Sequence, residues 1–238
     1  MASPHYNGCV ACASPLLARG LRLSLPFFAV LCAAGQDAAP APARPPVGQW
    51  QPMFDGKSLS GWKETPFSGH GKVTLQDGNL ILGSGAMTGV NWTGWFPKFD
   101  YEVRFEAARL SGSDFFASLT FPVENLFLTW VNGGWGGVIV GLSSLDDLDA
   151  SENETTTVAQ FRNGEWYSFR LRVTGGLVEA WIGGRQIIGV DLAGRKLSLR
   201  PGEIERSAPF GFAAYATTAA LRNVEYRLLA PPPEAAQP

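Results

Sequence analysis

At 238 residues, with 45% hydrophobic and 17% charged residues, the chain has enough apolar surface for one folded domain and is not a disordered polymer. Its 19 Lys and Arg against 21 Asp and Glu give a formal net charge of -2 with no basic run, which argues against a nucleic-acid-binding surface. The 28 Gly, 8 Trp and 15 Phe describe many turns and many packed aromatics, the composition of an all-β protein.

Residues 16–35 read LLARGLRLSLPFFAVLCAAG. Arg19 and Arg22 precede an apolar run from Leu23 to Ala34 and then small residues, the layout of a secretory signal peptide. Residues 1–35 are therefore expected to be a leader, and the protein to be exported to the periplasm or beyond the cell. The run is too short for a stable membrane span. Lipid anchoring through Cys32 is the alternative, although Leu31 stands where a small residue is needed. Removing Arg19 and Arg22 with the leader leaves 17 of the 19 basic residues against 21 acids. The three cysteines, Cys9, Cys12 and Cys32, all fall in this leader, so the core must hold without disulfides.

Gln36–Val47, QDAAPAPARPPV, cannot form helix or sheet and reads as an extended linker running to residue 49. The folded domain is expected over residues 50–229, with 230–238 as a frayed tail. Within it, period-two alternation dominates. Tyr101, Val103, Phe105 and Ala107 point one way, and Glu102, Arg104 and Glu106 the other. Tyr167, Phe169, Leu171 and Val173 repeat the pattern, as do Leu126, Leu128 and Trp130, and then Val224, Tyr226 and Leu228. Asp77-Gly78, Gly175-Gly176 and Gly183-Gly184 supply turn residues that accept positive φ. Ser143–Glu154 lacks an apolar stripe and reads as a loop. Many strands without helical crossovers pair antiparallel and pack as two sheets.

Three segments carry a resemblance. The first is Phe54-Asp55-Gly56-Lys57-Ser58-Leu59-Ser60-Gly61-Trp62. The second joins Asn163-Gly164-Glu165-Trp166-Tyr167 to Val178-Glu179-Ala180-Trp181-Ile182-Gly183-Gly184. The third runs from Gly211-Phe212-Ala213-Ala214-Tyr215 to Leu221-Arg222-Asn223-Val224. In this order they resemble the 3-keto-disaccharide hydrolase domain family, a group of exported bacterial proteins. The resemblance implies an antiparallel two-sheet jelly-roll sandwich of the concanavalin A-like type. It also implies a carbohydrate partner and cleavage of 3-keto glycosides by elimination or hydrolysis. Each motif has a structural reading as well: Trp62, Trp166 and Trp181 as core aromatics, and Asn223 at a bulge or turn.

Elimination from a 3-keto sugar needs a base for the C2 proton, an electrophile for the enediolate and aromatic platforms for the ring. The family's Asn-Ser-Gly-x-x-x-Arg run is replaced by Ser113–Leu119, and its Glu-x-Gln pair falls on Gly136–Val140, which holds no carboxylate. Its Gln-x-His falls on Tyr215-Ala216-Thr217, and His5 and His70 are the chain's two histidines. A Ser-His-Asp triad or a multi-His metal site is accordingly not expected. Asp114 and Glu124 flank the apolar strand Phe115–Phe121 and are the acid/base candidates. Trp130 and Trp135, set among glycines, either stack on sugar or pack inward. His70, in Ser68-Gly69-His70-Gly71, is a candidate on the rim. Asp147, Asp149 and Asn153 have the alternating spacing of oxygen ligands for Ca²⁺, without the Gly and distal Glu of an EF-hand. The other reading of that stretch is a solvated acidic loop. Asn91-Trp92-Thr93 and Asn153-Glu154-Thr155 match a glycosylation sequon. A non-catalytic carbohydrate-binding or cell-surface interaction module is the alternative function on this scaffold.

Overall fold

The computed structural model describes residues 44–230. The leader, the linker up to residue 43 and the tail from residue 231 lie outside the described residues. The strands in chain order begin with β1 (Gln51–Pro52), β2 (Trp62–Glu64), β3 (Val73–Gln76), β4 (Asn79–Leu82) and β5 (Thr88–Trp92). There follow β6 (Tyr101–Ser111), β7 (Ser118–Val123), β8 (Leu126–Gly133), β9 (Ile139–Ser143) and β10 (Thr157–Val158). The last five are β11 (Trp166–Thr174), β12 (Leu177–Ile182), β13 (Arg185–Asp191), β14 (Gly211–Ala214) and β15 (Thr218–Leu228). They form two antiparallel sheets. One has the order β13-β12-β11-β6-β15-β4-β3, with β1 also on β15; the other has the order β10-β9-β8-β7-β14-β5-β2. This is the expected all-β jelly-roll sandwich.

The alternation read from the sequence is what closes it. Tyr101, Val103, Phe105 and Ala107 of β6 and Phe169, Leu171 and Val173 of β11 are buried from one sheet. Leu119, Phe121, Leu128 and Trp130 are buried from the other. They meet as an aromatic cluster: Phe105 stacks on Phe169 at 4.9 Å, and Trp130 stands edge-on to Phe169 at 5.7 Å. Such pairs add about 0.5–1.5 kcal/mol each beyond their buried area. At the other end Trp62 packs against Phe210 and Phe212, and its indole N–H donates to the Met53 carbonyl at 2.6 Å.

Trp166 and Trp181 lie elsewhere than expected. Trp181 pairs in register with Arg170, on the solvent side of the eight-stranded sheet. It is covered there by the Arg170 guanidinium at 3.7 Å, and Trp166 is covered by Arg222 at 4.0 Å. Alternation places a tryptophan on a face, but long arginines, Arg170 from the adjacent strand and Arg222 from two strands away, decide that the outer face also buries Trp181 and half-buries Trp166. On the same face Glu102 is 0% exposed and is paired with Arg170, Arg172 and Arg227. Asn223 adopts φ 53 where the β15–β6 register shifts, as expected of a bulge. Val47 and Gly48, expected to belong to the free linker, attach to the end of β15, with the Gly48 N–H donating to the Leu228 carbonyl at 2.8 Å.

Candidate functional site

The inward alternation of β7, β8 and β9 leaves the intervening residues on the outer face of the seven-stranded sheet. Small polar side chains stand there, among them Ser118, Thr129 and Ser143, all buried. They form the floor of a cavity of about 380 Å³. Its walls come from five loops and the approach to β5: Asp114 and Phe115 before β7, Trp135 after β8, Asp149 after β9, Arg200, Pro201, Glu203 and Ile204 before β14, and Tyr215 after it, with Met87 at the side.

Each wall is fixed by a specific contact. The segment 196–204 is held across the sheet by the acidic loop that follows β9. Ser144 and Ser198 exchange backbone hydrogen bonds, and the Asp146 amide donates to the Lys196 carbonyl at 2.8 Å. The Arg195 guanidinium donates to Asp146 at 2.6 Å and pairs with Glu154 at 2.5 Å. Lys196 pairs with Asp147 at 2.7 Å, and Arg200 with Asp149 at 2.8 Å. A 3-10 turn, Glu203–Ser207, completes the segment. The buried Asn91 amide anchors it by donating to the Arg206 and Ala208 carbonyls.

The Ca²⁺ expectation at Asp147, Asp149 and Asn153 does not fit this arrangement. Both carboxylates are neutralised by basic side chains. Asn153 is turned inward, its amide donating to the Leu142, Leu148 and Asp149 carbonyls and its Oδ1 accepting from Thr155. Among the described residues no group of three or more His, Cys, Asp or Glu could hold a metal ion. The basic partners, in Arg195-Lys196-Leu197-Ser198-Leu199-Arg200, were the signal that would have identified a clasp. The same burial removes both sequons as glycan acceptors, since the amides of Asn91 and Asn153 are used inside the fold.

The clasp has a pH signature. The Lys196 amide and the Arg195 guanidinium hold the Asp146 carboxyl below the ordinary 3.8. A depressed folded-state value means that its contribution is complete above the unfolded pKa and is lost as pH falls through the folded one. The Lys196 amide resonance is therefore expected to titrate with a midpoint below 3.8, and to stay flat in Asp146→Asn. A midpoint at or above 3.8 would contradict the clasp.

The candidate residues separate sharply. Trp130 is 0% exposed in the core and cannot stack on a ligand. Trp135 is 43% exposed and faces the cavity. It owes that position to a left-handed turn: Gly133, Trp135, Gly136 and Gly137 have φ of 81, 50, 83 and 98. Three glycines accept this freely and Trp135 does so at a cost of about 1 kcal/mol. Asp114 lines the same cavity and tethers that turn. One of its carboxylate oxygens accepts from the Gly136 N–H at 3.3 Å, and the other from the Phe115 N–H at 2.8 Å. Glu124 falls in the hairpin turn at the far end of β7, exposed and outside the cavity lining, so it does not pair with Asp114. His70 is likewise exposed outside the lining, its Nδ1 at 2.9 Å from the Gly71 carbonyl oxygen.

Residues that sequence reasoning did not single out complete the site. Tyr215 is 45% exposed and packs on Phe115 with ring centres 5.7 Å apart. The Arg200 guanidinium lies 5.9 Å from the Trp135 ring. Glu203 accepts from the Ser68 N–H at 2.7 Å, which together with Arg206 holds its carboxyl below the ordinary range. Ser118 Oγ, on the floor, is buried without a hydrogen-bond partner. The result is a sheet-floored cavity with hydroxyls below, exposed rings at the mouth and carboxylates on the walls.

The sequence profile of the 3-keto-alpha-glucoside-1,2-lyase-like domain matches residues 49–227. The chain belongs to that family. No curated protein matches it. Among solved structures it is similar to a Parabacteroides distasonis protein described as a glycosyl hydrolase, at 14% identity and a TM-score of 0.49, over 76% of this chain and 94% of that one. It is also similar to the carbohydrate-binding module CBM66 from Bacillus subtilis, at 13% identity and a TM-score of 0.42, over 70% and 95%. A third is the Crh5 transglycosylase in complex with NAG, at 13% identity and a TM-score of 0.48, over 74% and 85%. The family match spans both sheets and every wall of the cavity, from β1 into β15.

Proposed function

We propose that this family member binds carbohydrate in the cavity on the outer face of the seven-stranded sheet. One observation carries the reading: two exposed rings, Trp135 and Tyr215, frame a floor of buried hydroxyls at Ser118, Thr129 and Ser143. The C–H faces of a sugar pack on aromatic rings while its hydroxyls need polar partners below, so this mixture suits a sugar better than an apolar ligand or an extended peptide. Export through the leader belongs to the same proposal.

A second reading, eliminative cleavage of a 3-keto glycoside, is favoured by family membership and by the placement of Asp114. Its carboxylate reaches the cavity with no ion-pair partner among the described residues. As base it would take the C2 proton. The C–H electrons would form the enediolate and then the C1–C2 double bond as the C1–oxygen bond breaks, and the leaving oxygen would take a proton.

One experiment addresses both readings. A panel of ordinary and 3-keto disaccharides is titrated against the protein, with product release recorded in the same samples. Saturable binding that Trp135→Ala weakens about tenfold or more is expected, because a stacking ring contributes on the order of 1–2 kcal/mol. Binding undiminished in Trp135→Ala would sink the cavity as the site. Release from 3-keto substrates that Asp114→Asn abolishes would establish the second reading, and its absence would leave a binding module.

A further inference from the structure

The walls of the cavity are charged unevenly. Asp114, Asp149 and Glu203 line it, against Arg200. Arg200 is already committed to Asp149, and Glu203 faces Arg206 at 3.4 Å. Among the described residues Asp114 remains as a carboxylate whose partners are main-chain N–H groups alone. Those two N–H groups belong to Phe115 and to Gly136, the neighbour of Trp135. The Tyr215 N–H in turn donates to the Phe115 carbonyl at 3.0 Å. The backbone thus sets one uncompensated negative charge among three aromatic side chains.

A carboxylate sharing a cavity with exposed aromatic rings attracts an organic cation, through its direct charge and through the ring quadrupoles, as the Arg200 guanidinium 5.9 Å from the Trp135 ring already illustrates. It opposes an anion for the same reasons. A second feature of the cavity points independently to a polar ligand. Ser118 is 1% exposed, alternation places it on the cavity side of β7, and its Oγ has no partner among the described residues, so an incoming hydroxyl would satisfy it.

We infer that the cavity selects sugars carrying a free amine, the ammonium seated at Asp114 between the rings of Trp135 and Tyr215. The inference rests on the carbohydrate-binding reading above and goes beyond it by naming the ligand's charge.

Three oligosaccharides with one β-1,4-glucose backbone isolate the charge: the fully deacetylated chitosan oligomer, its N-acetylated counterpart and the cello-oligomer of equal length. They differ only in the C2 substituent, an ammonium, an acetamide or a hydroxyl. Calorimetric titration of the full chain at low salt is expected to give the amine form about a tenfold advantage over the other two. Added salt should erode that advantage and leave the cello-oligomer's affinity unchanged. Asp114→Asn should bring the ratio close to one, and Asp77→Asn, in the β3–β4 turn, should leave both the ratio and the cello-oligomer's affinity intact.

Equal affinity for the amine and hydroxyl forms in the wild type would overturn the inference and leave the carbohydrate reading standing. So would an advantage that survives in Asp114→Asn, which would be general attraction of a polycation to an acidic protein. A parallel loss of all three ligands in Asp114→Asn would assign the carboxylate to holding the Trp135 turn and also overturn it. Failure of every ligand to bind the wild type would overturn both readings together.

Discussion

Trp130→Ala is expected to destabilise the protein by about 3–5 kcal/mol, whereas Trp135→Ala is expected to change its stability by less than about 1 kcal/mol. The two residues are five apart on one hairpin strand and its following turn, yet they differ in everything that sets the cost. Trp130 is enclosed by Phe105 and Phe169 of the opposite sheet, so truncation leaves a cavity whose walls cannot close without moving both sheets. Trp135 is 43% exposed and touches the core little, so its removal gives up mainly the contacts made by its ring at the mouth. Replacing it with Gly should even be mildly stabilising, because Gly meets φ 50 without the left-handed penalty. Trp130→Phe is expected to cost far less than Trp130→Ala, since the buried Trp130 Nε1 has no acceptor among the described residues and its loss strands none. Urea unfolding of the four variants reads all of this. Equal losses for Trp130→Ala and Trp135→Ala would refute the division between core and site.

Glu102→Gln is expected to cost about 2–3 kcal/mol. Glu102 is fully buried on the outer side of the eight-stranded sheet, and its two oxygens serve three guanidinium groups: Arg170 at 2.8 Å, Arg172 at 3.5 Å, and Arg227. Neutralising it leaves Arg170 and Arg172 of β11 and Arg227 of β15 facing one another across β6. The arginines keep about a third of their side-chain surface in water, which relieves part of the repulsion and places the estimate below that for a wholly buried pair. Glu106, two pairs along the same strand and on the same face, supplies the comparison. It is about a third exposed and paired with Arg222 at 2.7 Å, so Glu106→Gln should cost under about 1 kcal/mol. Similar unfolding midpoints for the two variants would show that the network is ordinary surface pairing.

The contrast between these residues also marks what the sequence could and could not reveal. Period-two patterning is a property of single strands, so the inward faces of β6, β11 and β15 were legible residue by residue. Asp77-Gly78 and Gly183-Gly184 announced their hairpins for the same local reason, positive φ at both central positions. Trp166 and Trp181 were misplaced because an arginine from another strand covers each from outside, and that depends on register, which alternation does not fix. The acidic loop was read as solvated or as a metal site because its partners, Arg195, Lys196 and Arg200, lie some fifty residues on. Asp114 and Trp135 were found from their loops, but their convergence was not. The cavity closes only when the loops before β7, after β8 and after β14 meet over the sheet. Glu124 was grouped with Asp114 by closeness in sequence, although a six-residue extended strand carries its ends about 20 Å apart.

Where the ligand sits is reported directly by the indole resonances. The protein, labelled with nitrogen-15, is titrated with a neutral gluco-oligosaccharide while the Trp side-chain N–H signals and the backbone amides are followed. The expected result is a saturable shift of the Trp135 indole together with the amides of Phe115, Ser118 and Tyr215, while Trp166 and Trp181 on the other sheet stay fixed. Shifts confined to Trp166, Trp181 and their arginine neighbours, with Trp135 unmoved, would contradict the cavity as the site and move the binding surface to the opposite face of the sandwich.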